Sequence, residues 1–536
     1  MILFGGRHGR RSAKRHISKE QKLRRAAGIL LLLCAAAVCF LLFSRSPAPE
    51  PLPETPPPEQ SLQPPAEPEP EVPEAPEPEP EPEEPEVPAM RLFPERPLYP
   101  AQKSVPEMPL DPALEPFLTD RAQVIPLAPL ETADGTVRRC LIKLSRGTAR
   151  AWVFPDGSLF WCERSTEAFA LPLSGFTAET GSHLNADDIR SPFLIETQTQ
   201  SALLQPPLAR EPVSLDGTNY LAAEEGNGSI LYRNGTAVIR FEDDTYVSDW
   251  WVYLTPGSLT EGAADGLEWL SRCAVDKFGD INRMTRSGYY YATPTDYVPT
   301  GEGCFYLLPA AHIPTKLARW SDAHHGRQIA AAMLDLQRAY YLEDGFIPTA
   351  PTSGWLSRDY GIGAGFYDTR FNTDLAHALL TLGRDLGIDA FTDCAMRYAR
   401  YLLQHAALHS TATENGILVH DYAHPDGNNS PTHTSLNHQL AEILFLTETQ
   451  DGDCAITAGR MLRGIADTLE LWIREDGNLH YACYPDGSFG GEDYPFLTYN
   501  DLLALNRCLG GHAGLERLMQ TKQAWMDRNG ITAYNK

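Results

Sequence analysis

Two short phrases recur in register through the last third of the chain, and they constrain its fold more than any other feature. Glu343-Asp344-Gly345-Phe346-Ile347, Glu414-Asn415-Gly416-Ile417-Leu418 and Glu475-Asp476-Gly477-Asn478-Leu479 form the first set. Each is followed, 23 to 29 residues on, by Asn372-Thr373-Asp374-Leu375-Ala376, Asn437-His438-Gln439-Leu440-Ala441 and Asn500-Asp501-Leu502-Leu503-Ala504. The second set recurs at spacings of 65 and 63 residues. Such self-similarity marks a stack of copies of one supersecondary unit.

Each unit reads as helix, loop, helix. Leu375, Leu379, Leu382 and Leu386 form an amphipathic stripe, and Phe391, Ala395, Tyr398, Leu402 and His405 form the next after a turn at Gly387-Ile388-Asp389. Leu436, Leu440, Ile443 and Leu444 pair likewise with Ile456, Leu462, Ile465, Leu469 and Trp472, with Asp453 as the expected N-cap. The last pair runs over 500–509 and 515–525, split at Gly510-Gly511. Short connections imply antiparallel hairpins. The Glu-[Asp/Asn]-Gly phrase suits a helix C-terminus, where glycine supplies the left-handed residue. Long, aromatic, polar loops between units favour a closed α/α toroid of about four hairpins over an open solenoid. The repeated Asn372, Asn437 and Asn500 read as caps or ties between hairpins, because they recur in every unit.

The other end of the chain obeys different physics. Residues 1–25 carry nine Lys or Arg and one Glu, and 26–43 is eighteen residues without a charge. The pattern predicts a basic cytoplasmic segment (1–25) and a single transmembrane anchor (26–44), placing the rest outside the cytoplasm at the cell membrane. A cleaved signal peptide is the rival, disfavoured because no small-x-small site follows the apolar run. From 46 to 90 there are thirteen Glu and no Lys or Arg among many Pro, so 45–98 reads as an extended stalk. The formal charge is −25, and residues from 91 onward carry about −21 of it. A folded part this acidic excludes a nucleic-acid binder, which needs a basic stripe. Ten cysteines without Cys-x-x-Cys spacing do not specify a framework.

Between stalk and repeat, 110–257 reads as a β-sandwich-like domain. The runs 141–145, 152–161 (bent at Pro155-Asp156-Gly157) and 246–254 alternate, and Asn234-Gly235 joins 230–233 to 236–241 as a hairpin. Helical character starts near 258, with helices expected over 262–278 and 320–341, so that 258–536 forms the toroid domain.

Ser430-Pro431-Thr432-His433-Thr434-Ser435-Leu436-Asn437 leads into a helix, Gly477-Asn478-Leu479-His480-Tyr481 opens a loop, and Tyr499-Asn500-Asp501 opens the last hairpin. From about Trp320 to the end, these stretches resemble the C-terminal domain of the D-glucuronyl C5-epimerase family. The resemblance implies an α/α toroid acting on uronate-containing polysaccharide. It also implies an acidic pair and a tyrosine before the proline at 431. This chain has Asn428-Asn429-Ser430 there, and carries Glu492-Asp493-Tyr494-Pro495 one unit later.

Epimerisation next to a carboxylate needs a base, an acid on the opposite face and cations for the carboxylate. The unit-to-unit loops supply candidates. Tyr367, Tyr422, Tyr481 and Tyr494 are the expected proton carriers, with Glu492 and Asp493 an acid and base in a hydrolase. Arg358 and Arg370 would hold a carboxylate, Trp355 would stack on a sugar face, and His433, Asn437 and His438 would complete binding. The loops also carry Asp359, Tyr360, Asp368, His420, Asp421, His424, His480 and Tyr484. The histidines lack His-Glu-x-x-His spacing, so neither metal nor cofactor is expected. Three functions are open: a uronate epimerase or lyase, a toroid glycoside hydrolase, and a non-catalytic glycan-binding surface protein.

Overall fold

The computed structural model describes residues 2–3 and most of 111–536. Residues 4–110, 174–185, 242–246, 260–283, 308–323, 342–344 and 533–536, with several shorter stretches, lie outside the described residues. The described residues belong to one unit, Met1–Gly5 with Val87–Lys536.

Two antiparallel sheets form the first part. The larger runs, in spatial order, through Thr218–Asn227, Gln200–Leu215, Val247–Pro256, Leu159–Ser165, Gly147–Val153, Gly135–Lys143 and Gln123–Pro126. The smaller runs Phe169–Pro172, Thr236–Arg240, Ser229–Arg233, Ala186–Ile189. Side chains alternate across a strand, and here both faces of the large sheet are covered. Leu159, Trp161, Trp250 and Val252 pack against Ile230, Ile239 and Leu171 of the small sheet. Their neighbours Phe160, Cys162, Trp251 and Tyr253 join the core of the helical part instead. The run 152–161 is not one bent strand. Gly157, at φ 86°, turns the chain so that Gly147–Val153 and Leu159–Ser165 pair with each other.

Helix α1 (His324–Arg338) lies on that second face and buries Ile329, Met333 and Leu336. Asp335 pins it there. Its carboxylate receives Arg139 at 2.7 Å, Trp152 Nε1 at 2.9 Å and Arg338 at 2.7 Å, so a fully buried charge is paired and hydrogen-bonded. After the short α2 (Gly354–Tyr360) come three complete hairpins: α3 (Thr369–Leu386) with α4 (Asp389–Leu408), α5 (Leu436–Glu448) with α6 (Gly452–Asp467), and α7 (Leu497–Cys508) with α8 (Ala513–Arg528). Helices α1, α3, α5 and α7 pack in sequence as one layer, and α4 lies against α6 in the layer behind.

Several expectations need correcting. The anticipated span at 26–44 lies outside the described residues, and no helix among the described residues is long and apolar enough to cross a membrane. The fold class is therefore restated, for the described residues, as antiparallel sheets followed by C-terminal helical hairpins with no spanning helix among them, and the single-pass location is withdrawn. Three hairpins are complete among the described residues, and the first helix of the expected fourth, 262–278, lies outside them. The N-cap of α6 is Asp451, which accepts from Asp453 N and Cys454 N at 3.0 and 3.1 Å, and not Asp453. Nor do the Glu-[Asp/Asn]-Gly phrases end helices: α4 stops at Leu408 and α6 at Asp467, well before Gly416 and Gly477. The helix-ending glycines are Gly361 and Gly387, at φ 73° and 66°. Gly416 is needed for a different reason. A Cβ there would lie 2.1 Å from Gly464 N, so loop and helix α6 touch backbone to backbone.

Candidate active site

The loops that enter α3, α5 and α7 are stitched together by short strand pairs. Tyr367–Asp368 pairs with Tyr422–Ala423, and Thr434–Ser435 with His480–Cys483, which pairs in turn with Phe489–Glu492. Three successive units thereby deliver side chains to one place.

His433 stands at its centre. Its ring centroid lies 5.6–6.1 Å from those of Trp355, Tyr360, Tyr422, Tyr481 and Tyr484. Nδ1 is 3.0 Å from the Tyr360 hydroxyl, and Nε2 is 3.3 Å from Asp421 Oδ2. Nε2 has no aligned hydrogen-bond partner, and catalytic hydrogen bonds often tighten only with substrate in place. Asp421 is fully buried and accepts from Ser435 N at 2.8 Å and from the Ser435 hydroxyl. Burial opposes its ionisation, yet His438, His433 and Ser435 together hold its pKa below the ordinary value. In the tautomer with the ring proton on Nε2, beside Asp421, Nδ1 accepts from Tyr360. Burial raises Tyr360 to about 12, so at rest this phenol keeps its proton.

Two further buried carboxyls, Asp368 and Glu442, lie close enough to Asp421 to feel its charge. Asp368 caps α3, accepting from Phe371 N at 2.8 Å, and burial lifts it to about 7. Glu442 is one turn beyond His438 on α5 and is 1% exposed, with Thr369 beside its carboxyl. Burial, with Asp421 and Asp368 adding to it against Thr369 and Arg370, raises Glu442 to about 8. His438 Nδ1 lies 2.9 Å from Thr369 Oγ1, and burial lowers His438 to about 4.

The anticipated residues divide. Tyr422, Tyr481, Trp355, His433 and His438 meet here. Tyr494 joins the rim, 48% exposed, with its ring 5.8 Å from that of Tyr481. The tyrosine of the displaced Glu492-Asp493-Tyr494 group thus reaches the same place from the next unit. Tyr367 does not: it is fully buried, its hydroxyl 2.9 Å from that of Tyr398, among Phe346, Tyr401 and His405. Glu492 is exposed, while Asp493 is buried against Lys522 at 2.7 Å, so the pair does not face a common substrate. Burial raises Asp493 and lowers Lys522. Arg370 is taken by Asp374 at 3.0 Å, Asp501 at 2.7 Å and the Asn437 carbonyl at 2.9 Å. Arg358 projects outward, its side chain 70% exposed and paired with Asp359. Asp421, Tyr360 and Tyr484 were visible only as polar loop residues, and Glu442 gave no signal because it occupies a helix interior.

No family model and no curated protein matches the chain. Solved structures similar to it are carbohydrate-active enzymes. A D-mannose isomerase matches at 14% identity over 40% of this chain and 58% of its own, with TM-score 0.31. The unsaturated glucuronyl hydrolase of Bacillus sp. GL1 matches at 16% over 38% and 57%, TM-score 0.26. A family 76 mannosidase of Bacteroides thetaiotaomicron matches at 13% over 40% and 56%, TM-score 0.28. The chain therefore spans less than two thirds of each of these proteins. Superpositions this loose leave the functional reading to the residues themselves.

Proposed function

We propose that the chain is a carbohydrate-active enzyme that moves a proton at a sugar through Tyr360, His433 and Asp421. The observation that carries this is His433 held between a buried carboxylate at 3.3 Å and a phenol at 3.0 Å. Acting as base, Tyr360 takes a substrate proton as its own passes to His433 Nδ1, and Asp421 stabilises the imidazolium so formed. Acting as acid, the same groups run in reverse. Trp355, Tyr481, Tyr484 and Tyr494 offer flat apolar surfaces for sugar rings at the rim, and Tyr481, its ring 5.8 Å from that of His433, is a second phenol for a step that needs an opposite-face partner. This keeps the acid–base chemistry of the epimerase resemblance and moves its first proton carrier from the expected set of Tyr367, Tyr422, Tyr481 and Tyr494 to Tyr360. A hydrolase acting through Glu492 and Asp493 is disfavoured by their separate environments.

The test is turnover of polysaccharides in deuterium oxide, read by exchange at sugar carbons and by new reducing ends. Tyr360→Phe and His433→Ala are each expected to lower kcat by 10²-fold or more with KM within a few fold, the usual range for removing an acid or base. Full activity in both variants, folded by circular dichroism, sinks the proposal.

A further inference from the structure

Asp421 serves the relay only while its carboxylate stays turned toward His433, and a side chain outside the relay governs that. The backbone at 421 is pinned on both sides. Its N–H donates to the His433 carbonyl at 2.9 Å, and its carbonyl accepts from Thr369 N at 3.0 Å. These bonds bring the two loops together and leave the carboxylate free to rotate. Ser435 removes that freedom. Its N–H donates to Asp421 Oδ1 at 2.8 Å, and its hydroxyl donates to Oδ2, the oxygen that lies 3.3 Å from His433 Nε2. Both residues are fully buried, where such bonds are stronger than in water.

The serine gives up another bond to make these. It is the N-cap of α5, at φ −86° and ψ 140°, where a hydroxyl ordinarily accepts from an N–H of the first turn. Ser435 makes no such bond. Neighbouring helices keep theirs: Ser353 accepts from Leu356 N at the head of α2, and Asp368 from Phe371 N at the head of α3. The hydroxyl that would cap α5 is spent on a buried carboxylate instead.

We infer that Ser435 is a positioning residue of the proton relay, holding Asp421 with Oδ2 aimed at His433 Nε2. The inference rests on the reading of Tyr360, His433 and Asp421 as that relay. Hydrogen bonds to a carboxylate favour its ionised form. Burial raises Asp421, and His438, His433 and Ser435 outweigh it. Without the hydroxyl, the His433–Asp421 pair takes up a proton more readily, and an imidazolium cannot accept from Tyr360. The pair titrates as a unit, so the acid limb of a rate profile reports it.

The experiment is the pH profile of kcat and KM for the full chain, unmutated and as Ser435→Ala and Ser435→Cys, on a polysaccharide that it turns over. Other titratable groups face Asp421: His438 and Glu442 from α5, Asp368 from the head of α3, His405 from α4, Tyr481 from the strand His480–Cys483, and its chain neighbours His420 and Tyr422. All are retained in both variants, so a difference between profiles belongs to the hydroxyl. Ser435→Ala is expected to lower kcat about tenfold, leave KM within about twofold, and move the acid limb up by about one pH unit. Ser435→Cys keeps the shape with a weak donor and is expected to move the limb the same way, which decides the matter where Ser435→Ala does not fold. An acid limb unmoved in the folded variants, or a loss confined to KM, overturns the role of Ser435 while the relay stands. Absence of any turnover by the unmutated chain overturns the relay and this inference with it.

Discussion

Asn372 and Asn437 open the same repeated phrase, yet the fold uses them differently. In the first unit, Asn372 Oδ1 accepts from Ile347 N at 2.7 Å, and Nδ2 donates to the carbonyls of Ile347 and Asp368 at 3.0 Å. The side chain ties the Gly345 turn to α3. In the second unit that task passes to Gln439. Its Oε1 accepts from Val419 N at 3.0 Å, and Nε2 donates to Ile417 O at 3.0 Å and Met461 O at 3.3 Å. Asn437 is thereby released and keeps an unpartnered Oδ1, while its own carbonyl holds Arg370. A two-residue shift in who makes the tie frees the Asn437 side chain from the structural task that Asn372 performs.

That contrast can be broken by mutation. The largest effect is expected at the contact that lets Gln439 reach its loop: Gly464→Ala would put a Cβ 2.1 Å from Ile417 O and should cost more than about 3 kcal/mol in urea denaturation. Asn372→Ala and Gln439→Ala should each cost about 2–4 kcal/mol, since each strands buried backbone groups of a loop. Asn437→Ala should stay within about 1 kcal/mol, because no side-chain hydrogen bond of Oδ1 is lost. Equal costs at Asn372 and Asn437 would erase the comparison.

A separate, pH-dependent effect concerns Glu442. In the folded protein it holds its proton up to about 8, and Asp368 holds one up to about 7, whereas unfolded carboxyls release theirs near 4. Between about pH 4 and pH 8 the folded state therefore binds more protons, so stability falls as pH rises through that window. Glu442→Gln removes part of that fall. Relative to the unmutated chain it should gain stability as pH rises, by on the order of 3–4 kcal/mol between pH 5 and pH 8. Stability curves that run parallel for the two proteins would exclude a raised Glu442. The smallest effect separates two cap assignments: Asp451→Ala should cost about 1 kcal/mol and Asp453→Ala about half that or less.

Much of the helical layer was legible in advance. The Leu375, Leu379 and Leu382 stripe is buried as its spacing required, and Gly387 closes α3 in the left-handed conformation. The Asn234-Gly235 signal corresponds to the paired strands Ser229–Arg233 and Thr236–Arg240. These follow from local periodicity and turn chemistry, which act over a few residues. The site was legible as a set of loops and not as a set of roles. Tyr367 and Tyr422 look alike in sequence, two aromatics in successive loops. One turns into the core against Tyr398, and the other faces His433.

The sequence by itself determined that hairpins would repeat, where their helices would lie, and that aromatic, histidine and carboxylate side chains would collect in the loops between them. Only the tertiary structure decided which of those side chains meet. Arg370 looked free to hold a substrate carboxylate until Asp501, 131 residues away, claimed its guanidinium. Asp421 meets His433 because the strand pairing of three loops set the two side by side. Periodicity specifies which face of a helix is buried, but the pairing of charges across units depends on how those faces stack.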